Sequence, residues 1–201
     1  MLKATKYLWT VSLCVFLFIV GIAIADSAAL SDSIIRLHIV ANSDSQKDQE
    51  QKILVRDAVL SVLADQINVS ADKSAATQWL SSNLGHIEEC ANETLIKLGS
   101  PCKAKVSLQK KEFDTREYDT FTLPAGLYDS VCIEIGEAEG KNWWCVVFPG
   151  LCTTSGDVKT AAVVSGMDSG LVRTICNDKE YEIRFFLVDC IGKLVNFFHF
   201  S

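Results

Sequence analysis

Cysteine and histidine are the residue types in this chain with the most reactive side chains. A cysteine becomes a nucleophile when a neighbouring histidine takes up its proton. Cys145 and His38 are the one such pair that we expect on neighbouring strands of a sheet, and they define a hydrolase hypothesis. The sequence indicates no third residue that would orient the histidine. We therefore favour a structural cysteine and a histidine on a strand surface.

The spacing of the cysteines also bears on disulfide bonds. Cys145 and Cys152 flank Pro149 and Gly150, where a chain reversal would bring their Cα atoms within the distance that a disulfide spans. We predict this bridge, although spacing alone does not fix the connectivity. A loop this short would stabilise the fold by about 2 to 3 kcal/mol. Three further cysteines are expected to be small buried hydrophobic residues: Cys90, Cys102 and Cys132.

No metal or cofactor site is predicted. The chain has no Cys-x-x-Cys pair, and its three histidines do not lie at ligand spacing from one another. The acidic residues between 129 and 139 do not follow the pattern of a calcium-binding EF-hand loop. Gly136 and Gly140 enclose two glutamates, which would repel a phosphate group. We expect the chain to work without a cofactor.

The N-terminus carries an export signal. Lys3 and Lys6 precede an uncharged apolar run, Tyr7 to Ala25, which ends in Ala23-Ile24-Ala25. A basic start, an apolar stretch and an A-x-A site are typical of a cleaved signal peptide. Because the run approaches the roughly 20 residues that cross a bilayer, an uncleaved anchor stays an alternative. In either case residues 26–201 are predicted to lie outside the cytoplasm.

The predicted charge of the exported part argues against two kinds of partner. Residues 1–25 contain two of the 19 basic residues and none of the 25 acidic ones, so residues 26–201 have a formal charge of −8. An acidic protein is a poor candidate for binding nucleic acid or an anionic membrane surface. We expect membrane contact only through residues 1–25, if they are retained.

Alternation of apolar and polar residues predicts about four strands. In the first, 33–40, Arg36 and His38 lie on the polar side and the strand is half-buried. The second covers 102–109. The third and fourth, 131–135 and 143–148, are predicted to form a β-hairpin. Trp143 and Trp144 must then face opposite sides of the sheet, one packed beneath it and one on its outer face.

Helical spacing predicts two long helices after the first strand. The first covers 46–67, with Lys52 among its polar residues and Arg56 and Asp57 on a solvated face. The second begins at Asp72 as N-cap, stops at Gly99, and could break near Gly85. Residues 153–180 are predicted to be rich in loops. Residues 181–200 are expected to form a C-terminal helix, although 181–188 also fits a strand.

These elements predict a fold class. We expect a single α+β domain over residues 26–201, with about four mainly antiparallel strands, helices packed on one face and a C-terminal helix. Its length suits one hydrophobic core.

Two blocks of sequence resemble a known family. LPAGLYDSV followed by GEAEGKNWWCVVFPGLC (123–152), and IRLHIVANSDS followed by DQ and VRDAV (35–59), resemble the stage II sporulation protein R family of endospore-forming bacteria. RFFLVD at 184–189 extends the resemblance. His38 stands where the family usually has arginine, and Gly150 stands where a second proline is usual.

The resemblance implies a function that the composition does not. It implies a protein made in the forespore and exported into the space between the two septal membranes. There it would activate a membrane-embedded aspartic protease of the mother cell, which removes the pro-sequence of sigma-E. The chain would then be an intercellular signal, and we expect that it is not itself an enzyme.

A partner-binding surface is predicted where the two blocks could meet. A loop at the end of a rigid strand presents an aromatic side chain at low entropic cost, and tryptophan is enriched at binding hot spots. We predict that the surface is formed by residues of the hairpin end and of the turn after the first strand: Asn142, Trp143, Trp144, Asn42, Ser43, Asp44 and Arg36.

Overall fold

The structure, a computed structural model, describes residues 2–67, 72–150, 161–163, 165–177 and 185–186. Its helices are α1 (Leu2–Ser33), α2 (Gln46–Ile67), α3 (Lys73–Lys97) and α4 (Ser169–Ile175). Its strands are β1 (Ile35–Val40), β2 (Ala104–Phe113), β3 (Arg116–Glu117), β4 (Thr122–Leu123), β5 (Gly126–Ile135) and β6 (Asn142–Phe148).

Strand β1 lies inside the main sheet, whose order is β2-β5-β1-β6. It pairs in parallel with β5 and antiparallel with β6. Strand β2 runs antiparallel to β5, because Gly136 N at the end of β5 donates to Lys103 O at the start of β2, and Lys110 near the end of β2 pairs with Asp129. The sheet is therefore mainly antiparallel, as predicted.

The predicted hairpin of β5 and β6 is wrong. Strand β1 lies between these two strands, so they do not pair with each other. The connection 136–141 is long enough to cross over the end of β1, a span of two strand spacings or about 10 Å. Alternation along a strand identifies its two faces but not its neighbour, so the sequence pattern was compatible with both arrangements.

The inner position of β1 also changes its burial. The sequence predicted a half-buried strand, but all six residues from Ile35 to Val40 are buried, including Arg36 and His38. A strand with a neighbour on each side loses its exposed edge, and here both of its faces are closed to solvent. The polar side of β1 is consequently an interior surface.

Helices α2 and α3 pack on one face of the sheet, as predicted. Their apolar side chains, such as Val59, Leu63 and Leu80, form one core with Leu37 and Ile133. The predicted caps of α3 are confirmed: Asp72 accepts a hydrogen bond from Ala75 N, and Gly99 ends the helix with φ +64. Gly85 does not interrupt the helix. The predicted α+β fold class is confirmed.

The chain divides into two compact units. One unit contains Asp32–Lys111 and Leu127–Asp168 and includes the main sheet with α2 and α3. The other contains Met1–Ser31, Glu112–Gly126 and Ser169–Ser201, and within it β3 and β4 form a two-stranded antiparallel ladder. Nothing in the composition indicated this division, because the second unit is assembled from three separate stretches of chain.

Helix α1 contains the predicted export signal. From Thr5 to Ser33 it is long and apolar enough to cross a membrane, and large side chains such as Trp9 and Phe18 are exposed. Both a signal peptide and an anchor have these properties. Of residues 153–180, the structure describes 161–163 and 165–177, and α4 falls within the second of these stretches. The helix predicted at 181–200 lies outside the described residues except for 185–186, which are helical.

Candidate functional site at the start of strand β6

The turn between β1 and α2 is bound to the loop between β5 and β6. Asn42 Oδ1 accepts a hydrogen bond from Glu137 N at 3.0 Å, and Asp44 Oδ1 accepts one from Lys141 N at 2.7 Å. The main chain adds two bonds, from Glu139 N to Asn42 O and from Gly140 N to Ala41 O, at 3.2 and 2.9 Å. The structure therefore brings together the two sequence blocks predicted to meet.

Two glycines in the loop permit this close approach. A Cβ on Gly140 would lie 2.6 Å from the carbonyl carbon of Ser43, and a Cβ on Gly136 would lie 2.8 Å from Asn42 Cγ. Gly136 also has φ +60, a conformation that other residues rarely adopt. Gly140 thus allows the loop to approach the backbone of Ser43, and Gly136 allows it to approach the side chain of Asn42.

Asp48 in the first turn of α2 orders the β1–α2 turn. Its Oδ2 atom accepts hydrogen bonds from Ser43 Oγ at 2.6 Å and from Asn42 Nδ2 at 2.9 Å. These hydrogen bonds lower the pKa of Asp48, and the bond from Ser43 has the largest effect. The carboxylate therefore stays ionised and fixes the orientation of the Asn42 amide, so that Oδ1 faces Glu137 N.

His38 fixes the first residues of β6 from the sheet face opposite α2 and α3. Its Nε2 lies 2.7 Å from Asn142 Oδ1, and because an amide oxygen can only accept, Nε2 carries the hydrogen. The ring stacks on Trp144 with centroids 3.8 Å apart and an 8° angle. Burial lowers the pKa of His38 to about 4, so the ring is neutral near pH 7.

The neutral state of His38 predicts a pH-dependent stability. Between about pH 6.5 and 4 the unfolded chain binds a proton at this ring and the folded protein does not. The contribution of neutral His38 to the free energy of unfolding is therefore complete above pH 6.5, and it is lost as the pH falls toward 4. We expect His38 to account for a loss of about 3 kcal/mol over this interval, measured by urea unfolding at a series of pH values. His38→Gln, which retains a donor for Asn142, should lack this component; an unchanged pH dependence in the variant would contradict it.

Trp143 lies on the face of the sheet that packs against α2 and α3. It is half-buried against the core, and the Arg56 guanidinium lies over its ring, 5.0 Å from the centroid. Arg56 also pairs with Asp57 at 2.6 Å. The two tryptophans therefore face opposite sides, as predicted, but both are half-buried and neither is a fully exposed anchor.

Arg36 is placed differently from the other predicted surface residues. It is fully buried, and its guanidinium lies 5.1 Å from the centroid of the Tyr128 ring. A side chain without exposed surface cannot contact a partner directly, which corrects the prediction for Arg36. Asn142 and Asp44 are exposed, and Asn42 and Ser43 are half-buried.

Cys145 and His38 lie on opposite faces of the sheet. Cys145 pairs with Leu37 in the register of β1 and β6 and belongs to the core beneath α2 and α3, whereas His38 faces the other way. Cys145 is also disulfide-bonded, so it has no thiol to act as nucleophile. The hydrolase pair predicted from the sequence is not assembled.

The disulfide partner of Cys145 lies outside the described residues. The other cysteines of the described part of the chain form no disulfide bond: Cys14, Cys90, Cys102, Cys132 and Cys176. Cys152 and Cys190 are the remaining candidates, and the Cys145–Cys152 bridge stays a prediction. Cys132 is buried as expected, while Cys90 and Cys102 are half-buried. Across the same described residues, no cluster of three His, Cys, Asp or Glu side chains could hold a metal ion.

Lys52 belongs to the site although the sequence pattern did not indicate it. Lys52 was predicted to lie on the polar side of α2, but only 4% of it is exposed, and its Nζ donates to Lys141 O at 2.8 Å. Nothing local distinguishes a buried lysine from an exposed one on a polar helix face. The paired glycines four residues apart were the available sign that another segment approaches the loop.

Fold and site together define a class of protein. It is an α+β domain that follows an apolar N-terminal helix, in which two distant blocks of sequence build one surface at the start of a strand. The chain belongs to the stage II sporulation protein R family, whose sequence model matches residues 31–157. It is similar to stage II sporulation protein R of Bacillus subtilis (strain 168), with 36% identity over 157 residues, 71% of this chain and 70% of that protein. No solved structure matches the chain.

Proposed function

We propose that this chain is an exported intercellular signal of sporulation. It passes from the forespore into the space between the septal membranes and activates a membrane-embedded aspartic protease of the mother cell. The protease then removes the pro-sequence of sigma-E. In this proposal the chain acts by binding the protease and does no proteolysis itself.

The observation that carries the proposal is the meeting of the two family blocks in one surface. Residues 41–44 of the first block hold residues 137–141 of the second by backbone and side-chain hydrogen bonds. Asn142 and part of Trp143 remain accessible at the end of this assembly. A rigid strand end with an accessible aromatic side chain suits recognition by another protein.

Helix α1 supports the proposed location. Its apolar, mostly exposed length suits entry into the export pathway, and Lys3 and Lys6 would stay on the cytoplasmic side. The formal charge of −8 over residues 26–201 argues against an anionic membrane surface as the partner. We propose that a protein domain facing the septal space is the partner.

Reconstitution in a non-sporulating bacterium tests the proposal. This chain is co-expressed with the aspartic protease and pro-sigma-E, and conversion of pro-sigma-E is followed by immunoblotting. We expect conversion only when all three proteins are present and the chain is exported.

The matched control lacks residues 2–25 and therefore keeps the folded unit in the cytoplasm. We expect it to produce no conversion, because it is separated from the external face of the protease. Absence of conversion with the complete chain would overturn the signalling proposal. Equal conversion by the control would overturn its extracytoplasmic location.

A further inference from the structure

The polar side chains of the β1–α2 turn are engaged within the protein. Asn42 binds Glu137 N and Asp48, and Ser43 Oγ binds Asp48. Asp44 binds Lys141 N, although its side chain is exposed. A side chain already engaged in this way must give up an internal hydrogen bond before it can bind a partner through the same atom. This turn is better suited to holding the loop than to contacting another protein.

Lys52 holds the same segment from helix α2. Its buried Nζ donates to Lys141 O at 2.8 Å and to Gln49 Oε1 at 2.7 Å, while Gln49 Nε2 donates to Ser43 O at 2.9 Å. Burial lowers the pKa of Lys52, whereas the Asp44 carboxylate opposes that shift. A buried ammonium group is costly, and an apolar side chain of similar length would fill the same space. Its hydrogen bonds therefore serve the geometry of the loop.

Lys141 and the first three residues of β6 are each held by a residue of the first sequence block, 35–59. The N–H group of Lys141 donates to Asp44, and the carbonyl oxygen of Lys141 accepts from Lys52. His38 binds the side chain of Asn142 and stacks on Trp144, and Arg56 lies over Trp143. The contacts come from both faces of the sheet, so displacement of residues 141–144 in either direction breaks at least one of them.

We propose that Asn42, Asp44 and Lys52 are positioning residues that fix residues 141–144 for recognition by the partner. The inference rests on the proposed function and deepens it: the partner contacts Asn142 and Trp143, and the β1–α2 turn acts through them. The carboxylate of Asp44 is required as a hydrogen-bond acceptor and not for its charge.

Two substitutions of Asp44 separate positioning from direct contact. Asp44→Ala removes the acceptor for Lys141 N, whereas Asp44→Asn retains an Oδ1 acceptor and removes the charge. For Asp44→Ala we expect exchange of the Lys141 amide hydrogen to become about tenfold faster and activation to fall about tenfold. Asp44→Asn should restore most of both. Equal losses in the two variants would overturn the proposal, because they would assign the role to the charge.

Lys52→Met provides a second test at a position that a partner cannot reach. We expect amide exchange at 141–144 and loss of activation to resemble those of Asp44→Ala, with the melting temperature of the purified full chain unchanged within a few degrees. Lys47→Met, an exposed change on the same helix, should alter none of these quantities.

The two readouts keep this proposal separate from the proposed function. Amide exchange is measured on the purified chain without the protease, so it tests the positioning contacts even if the reconstituted system shows no conversion. Unchanged exchange in Lys52→Met and Asp44→Ala would overturn the positioning role. Faster amide exchange combined with full activation of the protease would show that these positioning contacts are not needed for recognition, and would overturn that part of the proposal.

Discussion

Replacing Gly140 by alanine should destabilise the fold by about 3 kcal/mol. The added methyl group would overlap the backbone of Ser43, with its Cβ 2.6 Å from the carbonyl carbon and 3.0 Å from Ala41 Cβ. A backbone cannot rotate away as a long side chain can, so the loop must move and break the hydrogen bond from Gly140 N to Ala41 O. Urea unfolding of the purified chain measures the loss.

Gly85→Ala is the matched control for this change. Gly85 lies within α3, and a Cβ there meets no atom within 4 Å. Alanine is the better helix former, so this variant should be more stable by about 1 kcal/mol. The same chemical change is therefore expected to have opposite signs at the two positions. A Gly140→Ala variant as stable as the parent would show that the loop does not approach the turn so closely.

Replacing Cys145 by alanine should cost about 2 to 4 kcal/mol, because it removes a disulfide from a buried strand position. The loss is again read from urea unfolding, now with and without a reducing agent. Reduction should destabilise the parent protein by a similar amount and should leave Cys145→Ala unaffected, since the variant has no bond at this position to reduce.

Cys132→Ala controls for the loss of a buried sulfur atom. Cys132 is as buried as Cys145, lies in the same sheet and is free. We expect Cys132→Ala to lower the free energy of unfolding by about 1 kcal/mol and to leave the response to reduction unchanged. Equal costs for the two cysteines would contradict a stabilising disulfide. Mass spectrometry of the non-reduced protein identifies the partner, and free thiols at both Cys145 and Cys152 would exclude the predicted bridge.

The parts of the fold that are determined by residues close together in the sequence could be predicted. Helix α3 has its N-cap at Asp72 and its stop at Gly99, and alternation of side chains along β2 identified its buried face. The insertion of β1 between β5 and β6 could not be predicted in this way. Its apolar face fits beside either strand, and the choice depends on how α2, α3 and the 136–141 loop cross the sheet.

In the candidate site, too, local sequence patterns predicted some features, whereas features that depend on distant residues were not predicted. The two blocks were correctly expected to meet, and Trp143 and Trp144 were correctly assigned to opposite faces. The burial of Arg36 and Lys52 was not foreseen, because a cation on a polar strand or helix face has the same local pattern whether or not another element covers it. Burial is decided by residues about a hundred positions away, such as Lys141 for Lys52.

The place of β1 in the sheet has a consequence for the export that we propose. This strand would be the first of the sheet to leave a translocation channel, yet both strands that pair with it come much later in the chain: His38 and Asn142 are 104 positions apart. Contacts of such long sequence separation form slowly, since a large loop must close before any of them is made. The sheet cannot be completed until β6 has emerged at Phe148. In the proposed export, the order of its strands would therefore delay completion of the sheet until most of the chain has crossed the membrane.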